Sequence, residues 1–390
     1  MKNVNSVSVF DNDYKSSTNS DLVCLSHLRW NFVYQRPQHL LSRFARTRRV
    51  FFFEEPIFSD DPTELKINHG EDDLFVAVPH ISNSDKETKT VEEIQREMLD
   101  GLLRERQIKN FVLWLYTPIA LSFANHLKPQ TIVYDCMDEL SAFKFAPPEL
   151  LTNEQRLLEK ADLVFTGGQS LYEAKKNRHK RVFAFPSSID AAHFRQARDL
   201  REEPEEQKSI LSPKLGYCGV IDERIDIKLL GEVARLRPEW QFVMVGPVVK
   251  IREEDLPRRA NIHYLGGKDY KELPKYMAGW DVALMPFALN ESTKFISPTK
   301  TPEYLAAGKP VVSTAIRDVV RPYGEMNLVH IASTAEEFVA ACEKAMKENT
   351  DERNKQADKF LAETSWDKTF SEMANLIDET LEKQTQVSSA

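Results

Sequence analysis

Short apolar runs rich in β-branched and aromatic residues alternate with amphipathic stretches along most of the 390-residue chain. The runs have the length and composition of buried strands, and the stretches between them have the spacing of helices with one apolar face. This alternation predicts an α/β fold with doubly wound parallel sheets. In the first half of the chain, the predicted strands are Leu22–Ser26, Val50–Glu54, Phe75–Val78, Phe111–Leu115, Thr131–Asp135, Leu163–Thr166 and Val182–Phe185. The helices predicted between them include Gln38–Arg48, Val91–Arg106 and Asn153–Lys160.

A polar tract interrupts the alternation at residues 196–213 and predicts a linker between two Rossmann-like lobes. We expect a disordered tail at residues 1–20, a first lobe at 21–195 and a second lobe at 214–365. Because open α/β sheets bind ligands beyond the carboxyl ends of their strands, we expect the site in a cleft that both lobes face. The strands predicted in the second lobe are Leu215–Gly219, Gln241–Val245, Asn261–Leu265, Asp281–Met285, Val311–Ser313 and Leu328–His330. The helices predicted at the end are Ala335–Lys347, Asp351–Glu363 and Trp366–Leu381.

Composition narrows the class of protein. The net charge of −8 gives no support to a protein that binds nucleic acid. The four cysteines are far apart in sequence and form no metal-type pair, which predicts reduced thiols. Residues 1–20 contain no apolar signal core, and Phe111–Ala124 is too short to span a bilayer. We therefore expect a cytoplasmic protein, at most peripheral on the inner face of the cell membrane.

The most informative segment runs from Ser297 to Ser313 and reads SPTKTPEYLAAGKPVVS. It predicts a loop, a short helix that ends at Gly308, and a buried strand. Lys300 and Glu303 lie three residues apart and therefore share a face of that helix. A cation and a carboxylate at a helix N-terminus suit a ligand that carries both phosphates and ribose hydroxyls. The alternative is a capped surface helix in front of a core strand.

This segment resembles the donor-sugar motif of the group 1 family of GT-B glycosyltransferases. The resemblance implies that Glu303 binds the ribose and that residues 366–385 cross back onto the first lobe. The segment departs from the family pattern at Phe295, where many members carry a second glutamate. The resemblance also implies a nucleotide-sugar as substrate, with a UDP-sugar favoured, and no separate cofactor.

Further donor-binding candidates follow other strands of the second lobe. Gly219 could bring backbone N–H groups close to a diphosphate, which Arg224 could neutralise. The stretch from Gly219 to Asp226 (GVIDERID) resembles a segment of bacterial polysaccharide glycosyltransferases, although the commoner family pattern has arginine directly after the glycine. His263 is either a donor contact or a strand histidine satisfied by its neighbours. The remaining candidates at this site are Gly246, Thr293, Ser297, Thr299 and Lys300.

The segment after the first predicted strand contains the candidates for acceptor binding, Arg29, Trp30, Arg36 and His39. The block QRPQHL that contains two of them resembles bacterial enzymes of teichuronic-acid and exopolysaccharide assembly. Further arginines stand at positions 43, 46, 48 and 49, and the nearest acidic residues are Asp21 and Glu54. This positive patch suits a lipid-diphosphate acceptor or an anionic membrane surface, or it is an ordinary solvated helix face.

The end of the fifth predicted strand supplies the catalytic candidates. Asp138 stands there, and Met137 occupies the position where many retaining members of the family have a histidine. Some inverting GT-B enzymes deprotonate the acceptor with a histidine that follows the first strand and is steadied by an aspartate, and His27 and Asp138 fit those two places. Asp135 and Glu139 are rival carboxylates, and Asp138 could instead cap a helix. Retention and inversion of configuration both stay open.

No metal site is predicted, because the only Asp-X-Asp motif is Asp11-Asn-Asp13 in the polar tail. We expect metal-independent transfer, with the diphosphate held by helix dipoles, Arg224 and Lys300. The sequence thus predicts a glycosyltransferase of cell-surface polysaccharide synthesis that acts on a saccharide or lipid-linked acceptor. The alternatives are a nucleotide-sugar epimerase on the same fold and a non-catalytic, two-lobed sugar-binding protein. Paired carboxylates would also fit a glycoside hydrolase, against which the nucleotide-type second lobe argues.

Overall fold

The computed structural model describes residues 20–144 and 146–388, which form two β-sheets with helices in the connections between strands. The strands of the described chain are β1 (Asp21–Leu25), β2 (Val50–Phe53), β3 (Ile57–Ser59), β4 (Glu64–His69), β5 (Leu74–Ser82), β6 (Phe111–Leu115), β7 (Thr131–Cys136), β8 (Leu163–Thr166), β9 (Val182–Ala184), β10 (Lys214–Cys218), β11 (Gln241–Val245), β12 (Ile262–Gly266), β13 (Val282–Met285), β14 (Val311–Ser313) and β15 (His330–Ile331).

Of the helices with predicted bounds, those predicted from Val91 and Ala335 begin at these residues, whereas the one predicted from Asn153 begins earlier, at Glu149, and the last ends later than predicted, at Ser388. Two of them start at capping boxes, in which Thr90 and Thr334 each exchange hydrogen bonds with a glutamate three residues later. The helices of the described chain are α1 (Arg36–Ala45), α2 (Val91–Glu105), α3 (Leu121–Ala124), α4 (Glu149–Lys160), α5 (Gln169–Lys175), α6 (Ala191–Arg195), α7 (Glu205–Lys208), α8 (Ile227–Leu236), α9 (Leu273–Ala278), α10 (Lys300–Ala306), α11 (Arg317–Val319), α12 (Ala335–Ala345), α13 (Thr350–Leu361) and α14 (Trp366–Ser388).

The first sheet has nine strands in the order β3-β5-β2-β1-β6-β7-β8-β9, and β4 pairs with β5 in antiparallel fashion. The central strands β2 and β6 are buried along their whole length, which is why they are continuous apolar runs in the sequence. By contrast, β4 alternates partly buried and exposed side chains and carries Glu64, Lys66 and Asn68 on its exposed face. The apolar pattern did not predict β3 and β4, because both are short or polar edge strands.

The second sheet has six strands in the order β12-β11-β10-β13-β14-β15. Every pair of neighbours is parallel. Since β10 lies at the centre of the sheet, between β11 and β13, its carboxyl end stands at the point where the strand order reverses. Ligands of doubly wound sheets bind at such a reversal. The predicted α/β fold with doubly wound parallel sheets is therefore confirmed.

The segment predicted to be a linker is structured and packed. It contains α7, and the side chain of Gln207 on that helix is fully buried. Arg198 donates hydrogen bonds to the carbonyl oxygens of Leu305 and Ala306 and forms an ion pair with Asp358 at 2.8 Å. The polarity that suggested a tether therefore reflects side chains that hold this segment on α10 and α13.

The chain divides into two compact units. The first unit contains residues 20–115, Ser122–Val133 and α14, and the second contains Tyr116–Leu121 and residues 134–365. The boundaries of the two predicted lobes stay predictions.

Within the first unit, α14 packs on α1 through aromatic and charged contacts. The imidazole of His39 stacks on the Trp366 indole with the ring centroids 4.5 Å apart. Arg48 and Asp378 form an ion pair at 3.1 Å that is largely shielded from water. None of the helices in the described residues is long and apolar enough to cross a membrane.

Candidate functional site

Two glycines end adjacent strands of the second unit and allow their backbones to approach closely. Gly219 follows β10 with φ +145°, and Gly246 follows β11 with φ +151°, values that side chains rarely adopt. A Cβ atom on Gly246 would lie only 1.9 Å from the carbonyl oxygen of Gly219. Both strands therefore end in bare backbone at the centre of the sheet, as a site for a diphosphate requires.

A buried tyrosine places α10 beside this backbone. The hydroxyl of Tyr304 accepts a hydrogen bond from the N–H of Cys218, at 2.7 Å, at the end of β10. This contact brings the start of α10 to Gly219, where a Cβ would lie 2.1 Å from the Cε atom of Lys300. The Lys300 ammonium lies 5.8 Å from the ring centroid of Tyr217. Lys300 and Glu303 are thus held at the carboxyl end of the central strand.

The protein around Lys300 and Glu303 partly shields both charges from water. Desolvation raises the pKa of the Glu303 carboxyl to about 7, although the nearby ammonium of Lys300 and the hydroxyl of Thr299 lower it. Desolvation likewise lowers the pKa of Lys300, against the attraction of Glu303. Near neutral pH, Glu303 is therefore divided between its protonated and ionised forms. A ligand that brings hydroxyl donors and phosphate oxygens would stabilise both charges.

Arg224 is held in place by a carboxylate two residues before it. The guanidinium donates to both oxygens of Asp222, with Nη2 2.7 Å from Oδ2 and Nε 3.0 Å from Oδ1. Burial disfavours the charge on Arg224, but Asp222 more than offsets this effect and raises the pKa of the guanidinium. Arg224 therefore presents a fixed positive charge. The stretch GVIDERID contains Asp222, but sequence reasoning gave that residue no role.

The loop after β7 adds carboxylates in the same unit. The charge of Asp138 also raises the pKa of Arg224, so Asp138 lies within electrostatic reach of that guanidinium. Asp135 is fully buried within β7, and Glu139 forms an ion pair with Lys175 at 2.7 Å. Of these three carboxylates, Asp138 is the one whose charge acts on Arg224.

The other donor candidates have structural partners in the second unit. The Nε2 atom of His263 lies 2.8 Å from Oε1 of Gln241, and burial lowers the pKa of this imidazole. Thr293 is buried, and its hydroxyl donates to the carbonyl oxygen of Ala288, which shapes the loop before α10. The carbonyl oxygen of Ser297 accepts a hydrogen bond from Ser187 at 2.6 Å. Thr293 and Ser297 therefore fix the segment before α10, and His263 is engaged by Gln241, whereas Lys300, Glu303 and Arg224 supply charges near the end of β10.

The acceptor candidates lie in the first unit, where contacts within the fold engage several of them. Arg29 donates to the carbonyl oxygens of Glu55 and Pro56, at 2.8 and 3.0 Å. The Trp30 indole packs edge-on against Phe52 with centroids 5.1 Å apart. Of the remaining candidates, Arg36 and His39 are buried in α1, and His27 is partly buried after β1.

The arginine cluster has carboxylate partners that the local sequence did not reveal. Arg43 pairs with Asp367 at 2.7 Å, and Arg49 with Asp21 at 2.6 Å. These partners are distant in sequence, so the apparent positive patch is partly neutralised by ion pairs within the fold. The side chain of Arg46 remains 62% exposed and that of Arg49 40% exposed.

The described residues contain no group of three or more His, Cys, Asp or Glu side chains that could hold a metal ion. The Asp11-Asn-Asp13 motif lies outside the described residues.

Comparisons with known proteins agree with this geometry. Residues 212–348, which contain both glycines, Arg224, Lys300 and Glu303, match the family model described as Glycosyl transferases group 1. The Bacillus subtilis (strain 168) protein TuaH, named for glycosyl transfer in teichuronic acid biosynthesis, is 28% identical over 268 residues. That match covers 61% of this chain and 64% of TuaH, so the chain spans less than two thirds of its curated relative.

Solved structures with little sequence identity share the fold. Sucrose-phosphate synthase from Thermosynechococcus elongatus superposes with a TM-score of 0.69 at 13% identity, over 93% of this chain and all of that chain. An E. coli structure described as trehalose-6-phosphate bound with UDP-2-fluoro glucose gives 0.65 at 14% identity, over 93% and 99% of the two chains. A Burkholderia xenovorans trehalose-phosphate synthase in complex with glucose-6-phosphate gives 0.65 at 13% identity, over 93% and 100%. The fold is therefore GT-B, as predicted.

Proposed function

Because residues 212–348 match the family model of the group 1 glycosyl transferases and the fold is GT-B, we propose that this chain transfers a sugar from a nucleotide-sugar. The donor is a UDP-sugar, and the acceptor is a hydroxyl of a saccharide or lipid-linked saccharide in cell-surface polysaccharide synthesis. The observation that carries the proposal is that the start of α10, with Lys300 and Glu303, lies beside the backbone of Gly219, which has no side chain. The UDP-2-fluoro glucose of the E. coli neighbour and the teichuronic acid name of the Bacillus relative support the choice of donor and pathway class.

In this proposal, the donor lies over the carboxyl ends of β10 and β11. The diphosphate lies against the backbone at Gly219, where no side chain intervenes, and contacts the positive charges of Lys300 and Arg224. Glu303 accepts hydrogen bonds from the ribose hydroxyls, which favours its ionised form. Because both charges at α10 are poorly solvated without a ligand, the donor supplies the hydrogen bonds and opposite charge that they lack.

Asp138 is the base in this proposal, alone or with His27 as its partner. The acceptor hydroxyl gives its proton to the base, and its oxygen attacks the anomeric carbon. The bond from that carbon to the diphosphate oxygen breaks, and the nucleoside diphosphate leaves with the electron pair. Lys300 and Arg224 stabilise the negative charge that develops on the leaving group.

We further propose that transfer needs no metal ion and no cofactor besides the donor substrate. In this proposal, Lys300 and Arg224 supply the positive charge that a metal would otherwise bring to the diphosphate. We also propose that the protein acts in the cytoplasm, where nucleotide-sugars are available. Peripheral contact with an anionic membrane would depend on Arg46 and Arg49, since these are the exposed members of the cluster.

The test is a screen of nucleotide-sugars by thermal shift, followed by calorimetry and product identification by NMR. Lys300→Ala should weaken UDP and UDP-sugar binding by about 10-fold or more and uridine binding much less, because charge-assisted hydrogen bonds to phosphate are lost. Lys294→Ala removes an exposed lysine from the preceding loop and should leave binding unchanged. Product formation from the donor without an acceptor would favour the epimerase. Binding of nucleotide without any consumption of the donor would favour a non-catalytic binding protein.

A further inference from the structure

A network of charged side chains lies beside the carboxyl end of β7 in the second unit. The ammonium of Lys175 is 2.6 Å from Oε1 of Glu154 and 2.7 Å from Oε2 of Glu139. Arg178 contacts the second oxygen of Glu154 at 2.7 Å, and the hydroxyl of Tyr134 donates to its first oxygen at 3.1 Å. The side chains of Lys175 and Glu154 are only 2% and 3% exposed. The strand end is therefore anchored in a site that excludes water.

The charges in this network balance. Burial disfavours the charged forms of Lys175 and Glu154, yet their mutual attraction raises the pKa of Lys175 and lowers that of Glu154. Two cations face two carboxylates, so each buried charge has an opposite partner. Such a network tolerates little displacement, because a partner that moves leaves a poorly solvated charge behind.

Glu139 connects this network to the loop that carries Asp138. The Oε1 atom of Glu139 accepts a hydrogen bond from the Ser141 hydroxyl at 2.8 Å, while Oε2 faces Lys175. On the other side of Asp138, the N–H of Gly167 donates to the carbonyl oxygen of Cys136 at 2.8 Å. Gly167 also packs so closely on Met137 that a Cβ would lie 2.7 Å from the Met137 carbonyl oxygen. Asp138 thus stands between two anchored points of the backbone.

We propose that Glu139 is a positioning residue, whose hydrogen bonds with Lys175 and Ser141 hold Asp138 in the orientation that sugar transfer requires. This inference rests on the proposed function, in which Asp138 is the base. Both carboxylate oxygens of Glu139 already have partners, so Glu139 acts through its neighbour and does not itself take the acceptor proton. The proposed donor contacts are Lys300, Glu303 and Arg224 and do not include Glu139, so Glu139 affects the rate of transfer and not the affinity for the donor.

The test compares Glu139→Gln with Glu139→Ala in the full chain. Glutamine keeps an oxygen for Lys175, and its amide can donate to the Ser141 hydroxyl, so kcat should stay within about 3-fold of the wild type. Alanine removes the anchor, and kcat should fall by about 10- to 100-fold with the donor KM within about 2-fold, as expected for a misplaced catalytic group. In Glu139→Ala, Lys175 still has Glu154 as its partner. Glu159→Ala, an exposed position on α4, is the matched control.

Hydrogen exchange of the amides at residues 136–143 gives a readout that does not depend on turnover. Exchange should speed up in Glu139→Ala and stay unchanged in Glu139→Gln and in the control. If the alanine variant does not fold, Glu139→Asp, whose carboxylate is one methylene shorter, should show the same loss of kcat.

Equal losses of kcat in Glu139→Gln and Glu139→Ala would overturn the inference. That result would show that transfer requires the negative charge of Glu139 and not its hydrogen bonds. Wild-type rates in both variants, or unchanged exchange in Glu139→Ala, would overturn it as well. These outcomes differ from a failure of the proposed function, which would appear as a wild-type protein that transfers no sugar from any nucleotide-sugar and would remove both proposals together.

Discussion

Replacement of Glu303 by glutamine should make the protein more stable at neutral pH and weaker as a donor binder. The carboxyl of Glu303 has a pKa of about 7 in the folded protein, against an ordinary value of 4.5. Between these two values, the folded state binds more protons than the unfolded state, so stability falls as the pH rises. Each pKa unit is worth about 1.4 kcal/mol, so this carboxyl costs the fold roughly 3 kcal/mol once the pH exceeds 7. Below pH 4.5, the cost disappears.

The assay is denaturant unfolding of the wild type and Glu303→Gln at several pH values between 4.5 and 8, without ligand. Glutamine cannot ionise, so only the wild type loses stability as the pH rises. The free energy of unfolding of the variant minus that of the wild type should therefore increase by about 2–3 kcal/mol between pH 4.5 and pH 8. Glu291→Gln alters a glutamate whose side chain is 78% exposed and should follow the wild type at every pH. Calorimetry on the same variant should show donor affinity weakened by roughly 1–3 kcal/mol. Parallel stability curves for the wild type and Glu303→Gln would refute the reasoning, because Glu303 would then not be desolvated in the fold.

Three further predictions concern chemistry, metal and membrane. Asp138→Asn should lower kcat by about 10²–10⁴ with donor affinity nearly unchanged. A comparable loss of kcat in His27→Ala would indicate that the two residues act as a pair. A wild-type rate for Asp138→Asn would exclude Asp138 as the base. Activity should survive excess EDTA, and complete loss restored by Mg²⁺ or Mn²⁺ would contradict the proposed role of Lys300 and Arg224. The double variant Arg46→Gln, Arg49→Gln should bind anionic liposomes more weakly than the wild type at low salt, and the difference should shrink at high salt. Equal binding by the wild type and the double variant at low salt would show that these arginines do not contact the membrane.

The sequence predicted the buried parts of the fold well, because burial leaves a direct mark on composition. Strands such as β2 and β6, enclosed by the sheet and its flanking elements, are unbroken apolar runs whose limits can be read without the structure. The edge strands β3 and β4 carry no such mark, because one is short and the other polar. The polar β4 has its backbone partner only on β5, so its sequence resembles that of a loop.

The sequence also predicted only part of the candidate site. Lys300 and Glu303 could be found because a helix start and a glycine stop bring them together within one short segment. The contacts that decide how they work come from elsewhere in the chain, as Tyr304 does when it binds the N–H of Cys218 on β10. The arginine cluster shows the same effect, because the partner of Arg43 is 324 residues away in sequence. Local charge counts could not reveal such pairing.

Helix α14 belongs to the first unit but comes last in the sequence, and this order has a consequence during protein synthesis. The ribosome completes the strands of the first unit by Val133, but about 250 residues must still be made before α14 is available to that unit. At roughly 5–20 residues per second, this delay lasts roughly 10–50 s. During that time, the face of α1 that later contacts Trp366 and Phe370 has no cover from α14. The nascent chain therefore passes through a period in which an apolar surface is open to chaperones or to aggregation, and slow translation would lengthen it.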